Sequence, residues 1–319
     1  MPSHLTHTQC YMDVYDQLPG RMKTQYAQAW ERNKIFAQGH DFLLVYMFLH
    51  LPSYPKIQKK LALIEENVQE MALHYIAAWR ASSRSEEATF FLYGYLIHHF
   101  LDAKLHPLII YETGNLRGDK KAQARHLLLE NMIDAYILRR GGTDPKKHKI
   151  HTLVTSNKAL SAETRSIIDS SFEKTYGIPN FSELFAECNK TTGTFLKAMR
   201  YDPWGVKKIL LRPLDYLLMG VFKPSILPFR FDGTECADHL NIHNEEWTHP
   251  ADAAIVCAKS FDELFAEAVT EIAAMISALD RAMAGNAGDE ELRSIIPDIS
   301  SIHGLAAGQK REFANVKGR

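Results

Sequence analysis

The sequence predicts an all-α protein, built as a multi-helix bundle. Apolar residues recur at helical spacing almost throughout the chain, in segments long enough for several turns. The lone turn signal Asp232-Gly233 has no alternating strand pattern on its two sides. The 319 residues, of which 46% are hydrophobic, are sufficient for a large core.

Caps and breakers predict where the helices begin and end. The segment 83–85, followed by two glutamates, can open a helix that ends where Pro107 interferes with its continuation. Asp119 can cap the next helix, which the dipeptide Gly141-Gly142 ends. Further helices are predicted at Phe42 to Pro52, Pro55 to Arg80, Ser161 to Lys174, Asn180 to Tyr201, Val206 to Phe222 and Ser260 to Met283.

We predict a single helical domain over residues 1–285. Its first half, 1–140, carries the candidate metal ligands, and its second half, 150–285, covers them. Residues 286–319 are small, polar and mixed in charge, which predicts a loosely ordered tail.

Charge and cysteine content restrict the class of protein. Lys and Arg number 37 against 38 Asp and Glu, so no overall field attracts nucleic acid or an anionic membrane. The four cysteines form no CxxC pair and are predicted to be reduced thiols. The first residues, MPSHLTHTQC, lack the features of a secretory signal. We therefore expect a cytoplasmic protein without a membrane span, because no apolar run reaches roughly 18 to 20 residues.

Two short segments concentrate histidine and carboxylate side chains at helical spacing. Residues four apart lie on one face of a helix, so His98 and Asp102 can bind one ion together. The same spacing recurs at His126 and Glu130, and His106 stands at the end of the first of these two helices. Imidazole and carboxylate are usual ligands of zinc, and a mixed set leaves positions open for water. The pattern predicts a catalytic zinc site built from two helices.

Five segments carry a resemblance to a known family. They read MPSHLTH, FAQGHDFLLVY, YGYLIHHFLDAKLHPLIIYETG, ARHLLLENMID and LNIHNEEWTHP. Together they resemble the zinc-dependent phospholipase C family, in its small cytoplasmic bacterial branch, from Met1 to about Asp280. The resemblance implies an all-helical fold related to the single-strand-specific zinc nucleases. It also implies a cluster of up to three zinc ions that cleaves phosphodiesters.

The resemblance implies a ligand set for each ion. The first zinc would be bound by His98, Asp102 and Asp41, and the second by His106, His126 and Glu130. Asp102 would bridge ions, and His7 would join it at a third zinc. Secreted members complete the third site with a new N-terminus made by signal cleavage, whereas this sequence begins with Met1. Two zinc ions are therefore expected, with a third possible.

One family ligand is missing, and Glu65 is predicted to replace it. The family places a histidine on the helix after the GHD stretch, and KKLALIEENVQEM has none at the aligned position. If residues 55–80 form one helix, Glu65 is the only charge on an otherwise apolar stripe. A carboxylate facing a core needs a partner or a metal. His50 and His74 are the alternatives, as is a solvent-exposed Glu65.

The remaining histidines have less specific assignments. His40 either orients the adjacent carboxylate of the GHD stretch or is a solvated loop residue. His99 is predicted to lie in the core or to support a ligand. His4 is the alternative to His7. The sequence WTHP at 247–250 is predicted to form a packed corner fixed by its proline.

The leading prediction is a zinc-dependent phosphoric-diester hydrolase, phospholipase C-like, in which metal-activated water attacks phosphorus. Asp41 is the candidate general base where metal does not engage it fully. A phospholipid is one candidate substrate. A small soluble phosphodiester competes with it, because the sequence shows no signal, no lipid-binding module and no evident basic amphipathic helix. One alternative is a nuclease, nucleotide phosphodiesterase or phosphatase using the same site. The other is a helical protein that binds metal without turnover.

Overall fold

A computed structural model of the chain describes residues 4–49, 54–114, 119–155, 159–199, 201–217, 225, 230–309 and 311–317. Within these residues the chain is mostly helical, which confirms the all-α prediction. The helices are α1 His4–Gln17, α2 Gly20–Asn33, α3 Phe42–Leu49, α4 Tyr54–Ile64, α5 Val68–Arg80, α6 Glu86–Thr113, α7 Lys120–Arg140, α8 His151–Val154, α9 Ala162–Tyr176, α10 Phe181–Ala198, α11 Val206–Leu217, α12 Phe261–Ala284 and α13 Asp289–Ile295. Short 3₁₀ helices span Lys34–Gln38 and Ala237–His239, and Trp247–Thr248 (β1) pairs antiparallel with Val256–Cys257 (β2).

Helix α6 lies at the centre of the molecule. Its side chains are buried almost without interruption from Ala88 to Ile110, and most of them are apolar. Helices α1, α2, α7 and α12 and the 3₁₀ helix Lys34–Gln38 pack around it. The ring of Phe91 lies 5.3 Å from that of Phe36 and 5.6 Å from that of Phe185. The candidate ligands of α6 are therefore held in the core rather than on the surface.

The predicted cap Asp119 is confirmed, and two other helices start at the predicted serines, which act as caps. The Asp119 carboxylate accepts a hydrogen bond from Lys121 N at the start of α7. The Ser161 hydroxyl accepts one from Thr164 N at the start of α9. Ser260 and Glu263 form a reciprocal capping box at the start of α12. The local sequence was sufficient to predict these helix starts, because each capping side chain accepts hydrogen bonds from N–H groups in the first turn of its own helix.

The predicted single helix from Pro55 to Arg80 is wrong. It is divided into α4 and α5 at residues 65–67, where Asn67 adopts a left-handed conformation with φ of 56°. Asparagine tolerates this conformation better than most residues, and it ends the helical repeat. Glu65 follows the last residue of α4, so the stripe that placed it on the face of a continuous helix does not exist.

The described part of residues 286–319, for which the sequence predicts a loosely ordered tail, packs against the rest of the chain. Helix α13 is followed by a segment that we name the 298–307 loop, closed by a bridge between Ile299 and Ala306. Ser300, Ser301 and His303 of this loop are buried, as is Phe313 beyond it. The polar side chains and backbone groups that suggested disorder instead bind the rest of the chain.

The predicted end of α6 at Pro107 is wrong, because the helix continues through the proline to Thr113. Proline has no N–H to bond the carbonyl of Ala103, four residues earlier. The 298–307 loop packs on that carbonyl through Gly304, whose φ is +63° and whose added Cβ would lie 2.3 Å from Ala103 O. Packing around the proline keeps the helix continuous, and tertiary contacts override the local preference.

Replacing Gly304 with alanine is expected to lower the free energy of unfolding by about 2–4 kcal/mol. A left-handed conformation costs alanine about 1–2 kcal/mol, and the clash with Ala103 O adds a similar amount. Gly308→Ala is the matched control, since Gly308 has φ of +73° but an added Cβ would meet nothing within 4 Å. Urea unfolding of both variants measures the difference. Equal losses would show that the loop does not pack tightly on α6.

Two further expectations concern cysteines and membrane spans. All four cysteines, Cys10, Cys188, Cys236 and Cys257, are free thiols, as predicted. Across the described ranges, no helix combines the length and the apolar character that crossing a membrane requires.

Candidate metal centre

Four parts of the chain bring histidines and carboxylates together beside α6. The side chains are His7 on α1, His40 and Asp41 after the 3₁₀ helix, His98, Asp102 and His106 on α6, and His126 and Glu130 on α7. All of them are buried. The structure therefore gathers every sequence-predicted ligand except Glu65, and it adds His40, which the sequence analysis assigned only a supporting or solvated role.

The loop at residues 39–41 passes directly over the ring of His98. Gly39 has φ of +50°, and a Cβ added there would lie 2.3 Å from His98 Cδ2. Only glycine permits this approach. It brings the His40 ring to 4.8 Å from the His98 ring and Asp41 Oδ1 to 3.5 Å from His98 Nε2. The sequence Gly39-His40-Asp41 thus places two candidate ligands, His40 and Asp41, beside α6.

The first ligand group consists of His40, Asp41, His98 and Asp102, whose ligand atoms all lie within 4.8 Å of one another. His98 Nε2 is 3.3 Å from Asp102 Oδ2. His7 reaches the same group, with its Nε2 3.2 Å from Asp102 Oδ1 and 3.5 Å from Asp41 Oδ2. The i,i+4 pair predicted from the sequence is therefore the centre of a larger set.

The second ligand group consists of His106, His126 and Glu130. Glu130 Oε1 lies 3.0 Å from His126 Nε2 and 3.8 Å from His106 Nε2. Asp102 Oδ1 is 3.9 Å from the same His106 nitrogen. Asp102 thus contacts both groups, in the place expected of a bridging carboxylate.

The separations between these atoms are typical of ligands around a cation. Six of the nitrogen–oxygen distances fall between 3.2 and 3.9 Å. Hydrogen bonds between N–H and oxygen are shorter, at roughly 2.7–3.2 Å. Two ligands about 2.0–2.2 Å from one tetrahedral zinc would lie about 3.3–3.6 Å apart. Most of these separations therefore suit an ion between the side chains, whereas the pairs His126–Glu130 at 3.0 Å and His7–Asp102 at 3.2 Å also lie within hydrogen-bond range.

Backbone and hydroxyl oxygens fix which nitrogen of each ring faces the centre. His98 Nδ1 donates to Ala37 O at 3.2 Å, and His106 Nδ1 donates to Ser301 O at 2.7 Å. His126 Nδ1 lies 3.5 Å from the hydroxyl oxygen of Thr113, whose own proton goes to a backbone carbonyl. In the neutral form of each ring the proton therefore sits on Nδ1, and the lone pair of Nε2 is directed toward the centre. Such support orients metal-ligating histidines.

Burial keeps the histidines of the first group neutral. It lowers the pKa of His98 well below its ordinary value and the pKa of His40 to about 3. Neutral imidazole is the form that binds metal. His106 differs, because the charges of Asp102 and Glu130 outweigh the effect of burial and raise its pKa to about 9. Metal binding by His106 therefore competes with a proton.

Three carboxylates share this buried volume. Burial, aided by the charges of Asp102 and Glu130, raises the pKa of Asp41 well above its usual value. Burial opposes ionisation of Asp102 as well, but the surrounding histidines, His106 foremost, hold its pKa below the ordinary range. Asp41 Oδ2 and His98 Nε2 are buried without a hydrogen-bond partner among the described residues. Concentrated negative charge beside unpartnered ligand atoms fits a divalent cation.

Asp134, which the sequence analysis did not single out, fixes the start of α1. Its carboxylate accepts hydrogen bonds from Leu5 N at 3.1 Å, Thr6 N at 3.0 Å and the Thr6 hydroxyl at 3.1 Å. These N–H groups belong to the first turn, so Asp134 caps α1 from another helix. It thereby positions His7. The only sign of this role in the sequence is that Asp134 lies one helical turn after Glu130, and therefore on the same face of α7.

His99 and His4 are held by hydrogen bonds within the fold. His99 is buried, with Nε2 2.8 Å from Ile299 O in the 298–307 loop, as expected for a core residue. His4 Nδ1 donates to Gln38 Oε1 at 2.6 Å. This bond supports the turn before His40. Of the two N-terminal histidines, His7 is the one whose Nε2 meets the carboxylates, as the resemblance implied.

The WTHP corner at 247–250 supports the 298–307 loop. Trp247 Nε1 donates to Lys259 O at 3.2 Å, and His249 Nε2 donates to His303 O at 3.0 Å. Pro250 O accepts bonds from two backbone N–H groups in the chain beyond the loop. The corner is packed, as predicted. It acts on the centre through the loop that orients His106.

Glu65 belongs to neither ligand group. Its side chain is half-buried, and its charge adds to burial in raising the pKa of Asp41, so the carboxylate lies near the centre. Its assignment as a ligand stays a prediction. Of the two alternatives, His50 lies outside the described residues, and His74 Nδ1 is 2.9 Å from the Thr175 hydroxyl.

Comparisons with known proteins do not identify the chain. No family model, no curated protein and no solved structure matches it. The likeness to zinc-dependent phospholipases C therefore depends on short motifs in a particular order.

Proposed function

We propose that the protein is a metal-dependent hydrolase of phosphoric diesters, with zinc as the metal. The observation that carries the proposal is the carboxylate of Asp102, which lies 3.2–3.9 Å from histidine nitrogens of two adjacent ligand groups. A carboxylate shared between two metal positions is suited to phosphoryl chemistry. The pairs His98–Asp102, His106–Pro107 and His126–Glu130 follow one another in the order found in zinc-dependent phospholipases C, which the chain resembles. This resemblance favours phosphodiesters as substrates.

The ligands divide between two ions. Asp41, His98 and Asp102 would hold the first ion, with His7 and His40 adjacent to it. The second ion would be held by His106, His126 and Glu130, with Asp102 shared. Nitrogen and oxygen donors without cysteine sulfur suit zinc at a catalytic rather than a structural site.

The chain's own groups can complete the chemistry. A pair of bound divalent cations supplies a water of lowered pKa and stabilises charge on the phosphoryl oxygens. Asp41 Oδ1 faces His98 Nε2 at 3.5 Å, whereas Asp41 Oδ2 is buried without a hydrogen-bond partner among the described residues. One oxygen can therefore bind metal while the other accepts a proton as general base. Burial of these side chains limits screening by bulk water and strengthens their electrostatic effect.

Metal content and turnover, measured together, test the proposal. Protein purified without chelator is expected to carry about two zinc equivalents and to hydrolyse bis(p-nitrophenyl) phosphate. His98→Ala and His126→Ala should each lower the metal content and remove turnover, because each deletes a ligand of one group. His243→Ala is the matched control, since His243 is exposed. Glu65→Gln in the same assay tests whether Glu65 binds metal.

Three outcomes would change the conclusion. Full activity without bound metal, or in the ligand variants, would reject the metal centre. Two bound ions without turnover of any phosphodiester would favour a protein that binds metal without catalysis. Degradation of single-stranded nucleic acid without cleavage of phosphatidylcholine would assign the same site to a nuclease.

A further inference from the structure

Helix α11 turns its apolar face away from the protein. Val206, Ile209, Leu210, Leu214 and Leu217 follow the spacing of a single helical face. A helix packed on a core would bury that face. Here Ile209, Leu210 and Leu217 are 66%, 70% and 75% exposed, and no residue of the helix is buried. An exposed apolar face of this length indicates a binding surface.

The opposite, polar side attaches α11 to the rest of the chain. Asp202 caps the helix by accepting a hydrogen bond from Lys207 N at 2.8 Å. The Lys207 ammonium donates to Ala198 O at 2.9 Å. Near the other end, Asp215 Oδ1 accepts a bond from Ser225 N at 3.0 Å. These bonds fix the rotation of the helix, so its apolar face is held outward.

The sequence of α11 and of the segment that follows it carries an excess of basic residues. Residues 202–231 of the sequence contain five basic residues and two acidic residues, Asp202 and Asp215, although the net charge of the whole chain is −1. Asp215 is already engaged with Ser225. The basic residues are Lys207, Lys208, Arg212, Lys223 and Arg230. This local excess complements an anionic partner.

Aromatic residues stand near both ends of the apolar face. Trp204 is 86% exposed just before the helix, and Tyr216 is 76% exposed in its last turn. Tryptophan and tyrosine favour the boundary between the polar and apolar parts of a lipid layer, because their rings combine both characters.

We propose that α11 is a membrane-surface helix that binds anionic phospholipid. Helices that lie in the lipid headgroup region carry leucine, isoleucine and tryptophan on one face, with lysine and arginine beside that face. A second copy of this chain fits less well, because its own basic residues would face those of the first. The sequence-based expectation of no basic amphipathic helix is thereby corrected.

Sedimentation with lipid vesicles tests this surface. At low salt the protein is expected to bind vesicles of phosphatidylcholine with phosphatidylglycerol more tightly than vesicles of phosphatidylcholine alone. The expected gain is about fivefold for each basic residue that reaches the surface. High salt should weaken the binding. Trp204 is the exposed tryptophan, whereas Trp30, Trp79 and Trp247 are buried. Vesicles should therefore shift the emission to shorter wavelength, and Trp204→Phe should remove the shift.

Two variants and a matched control assign the binding to α11. Ile209→Ser with Leu210→Ser removes exposed apolar contacts and should weaken binding at least about tenfold. Lys208→Glu with Arg212→Glu should remove the preference for anionic lipid. Lys56→Glu with Lys59→Glu makes the same charge change at exposed positions of α4 and should leave binding intact. His98→Ala should also bind vesicles normally, because this surface does not depend on the metal centre.

Each contrary result would overturn the proposal. One such result is that the protein does not bind vesicles at low salt. Another is that the α11 variants bind vesicles as tightly as the original protein. A third is a dimer that the Ile209→Ser and Leu210→Ser changes convert to monomer without any vesicle binding. That result would assign the face to a second copy of the chain.

Discussion

Asp102→Asn should reduce phosphodiester turnover by about two to four powers of ten. The Asp102 carboxylate lies within 3.2–3.9 Å of His7, His98 and His106, so its charge serves both ligand groups. Breaking a buried charge pair costs about 3–5 kcal/mol, which corresponds to that range of rates. Asparagine keeps the size of the side chain but removes the charge that offsets repulsion between two cations. Turnover and metal content per folded protein provide the measurement.

Glu130→Gln is the matched comparison for Asp102→Asn. Glu130 contacts His106 and His126 of the second group. Its amide variant should lose about tenfold to a hundredfold in turnover and about one metal equivalent. Circular dichroism checks that both variants are folded. Equal losses in the two variants would argue that Asp102 does not bridge the groups.

Ending the chain after Pro297 is expected to weaken metal binding at the second group by about tenfold to a hundredfold. The truncation removes Ser301 O, which holds His106 Nδ1 at 2.7 Å, and Ile299 O, which holds His99 Nε2 at 2.8 Å. Without its acceptor the His106 ring is free to rotate, and its Nε2 loses its fixed direction. Competition with a chelator of known affinity measures the change.

A point variant tests the same prediction in case the truncated chain does not fold. His249→Phe keeps every residue of the 298–307 loop but removes the bond to His303 O. It should produce a smaller loss of metal affinity in the same direction. Unchanged affinity in a folded truncated protein would show that the loop does not orient His106.

The sequence predicted those features that depend on neighbouring residues. The i,i+4 pairs His98 with Asp102 and His126 with Glu130 lie together as expected, because helical geometry alone sets their direction. Caps such as Asp119 and Ser161 satisfy backbone groups a few residues away and were equally visible. Local chemistry therefore revealed the all-α class and the centre of the candidate metal site.

Features that depend on distant segments were missed. His40 joins the centre only because Gly39 lets its loop pass over the His98 ring. Asp134 caps a helix more than a hundred residues earlier in the chain. Pro107 remains inside α6 although its local preference is to end a helix. No pattern within a short window of sequence encodes these contacts.

The long separation between His106 and its backbone acceptor bears on how the protein is made. Ser301 lies 195 residues after His106, and Ile299 lies 200 residues after His99. A ribosome adding about 5–20 residues per second needs about 10–40 s to cover that interval. During this time the nascent chain already displays the α6 and α7 ligands without the carbonyl that directs His106. If the centre binds metal as proposed, correct metal acquisition is a late step in biogenesis, after the final loop has docked, and any ion captured earlier meets a partly oriented site.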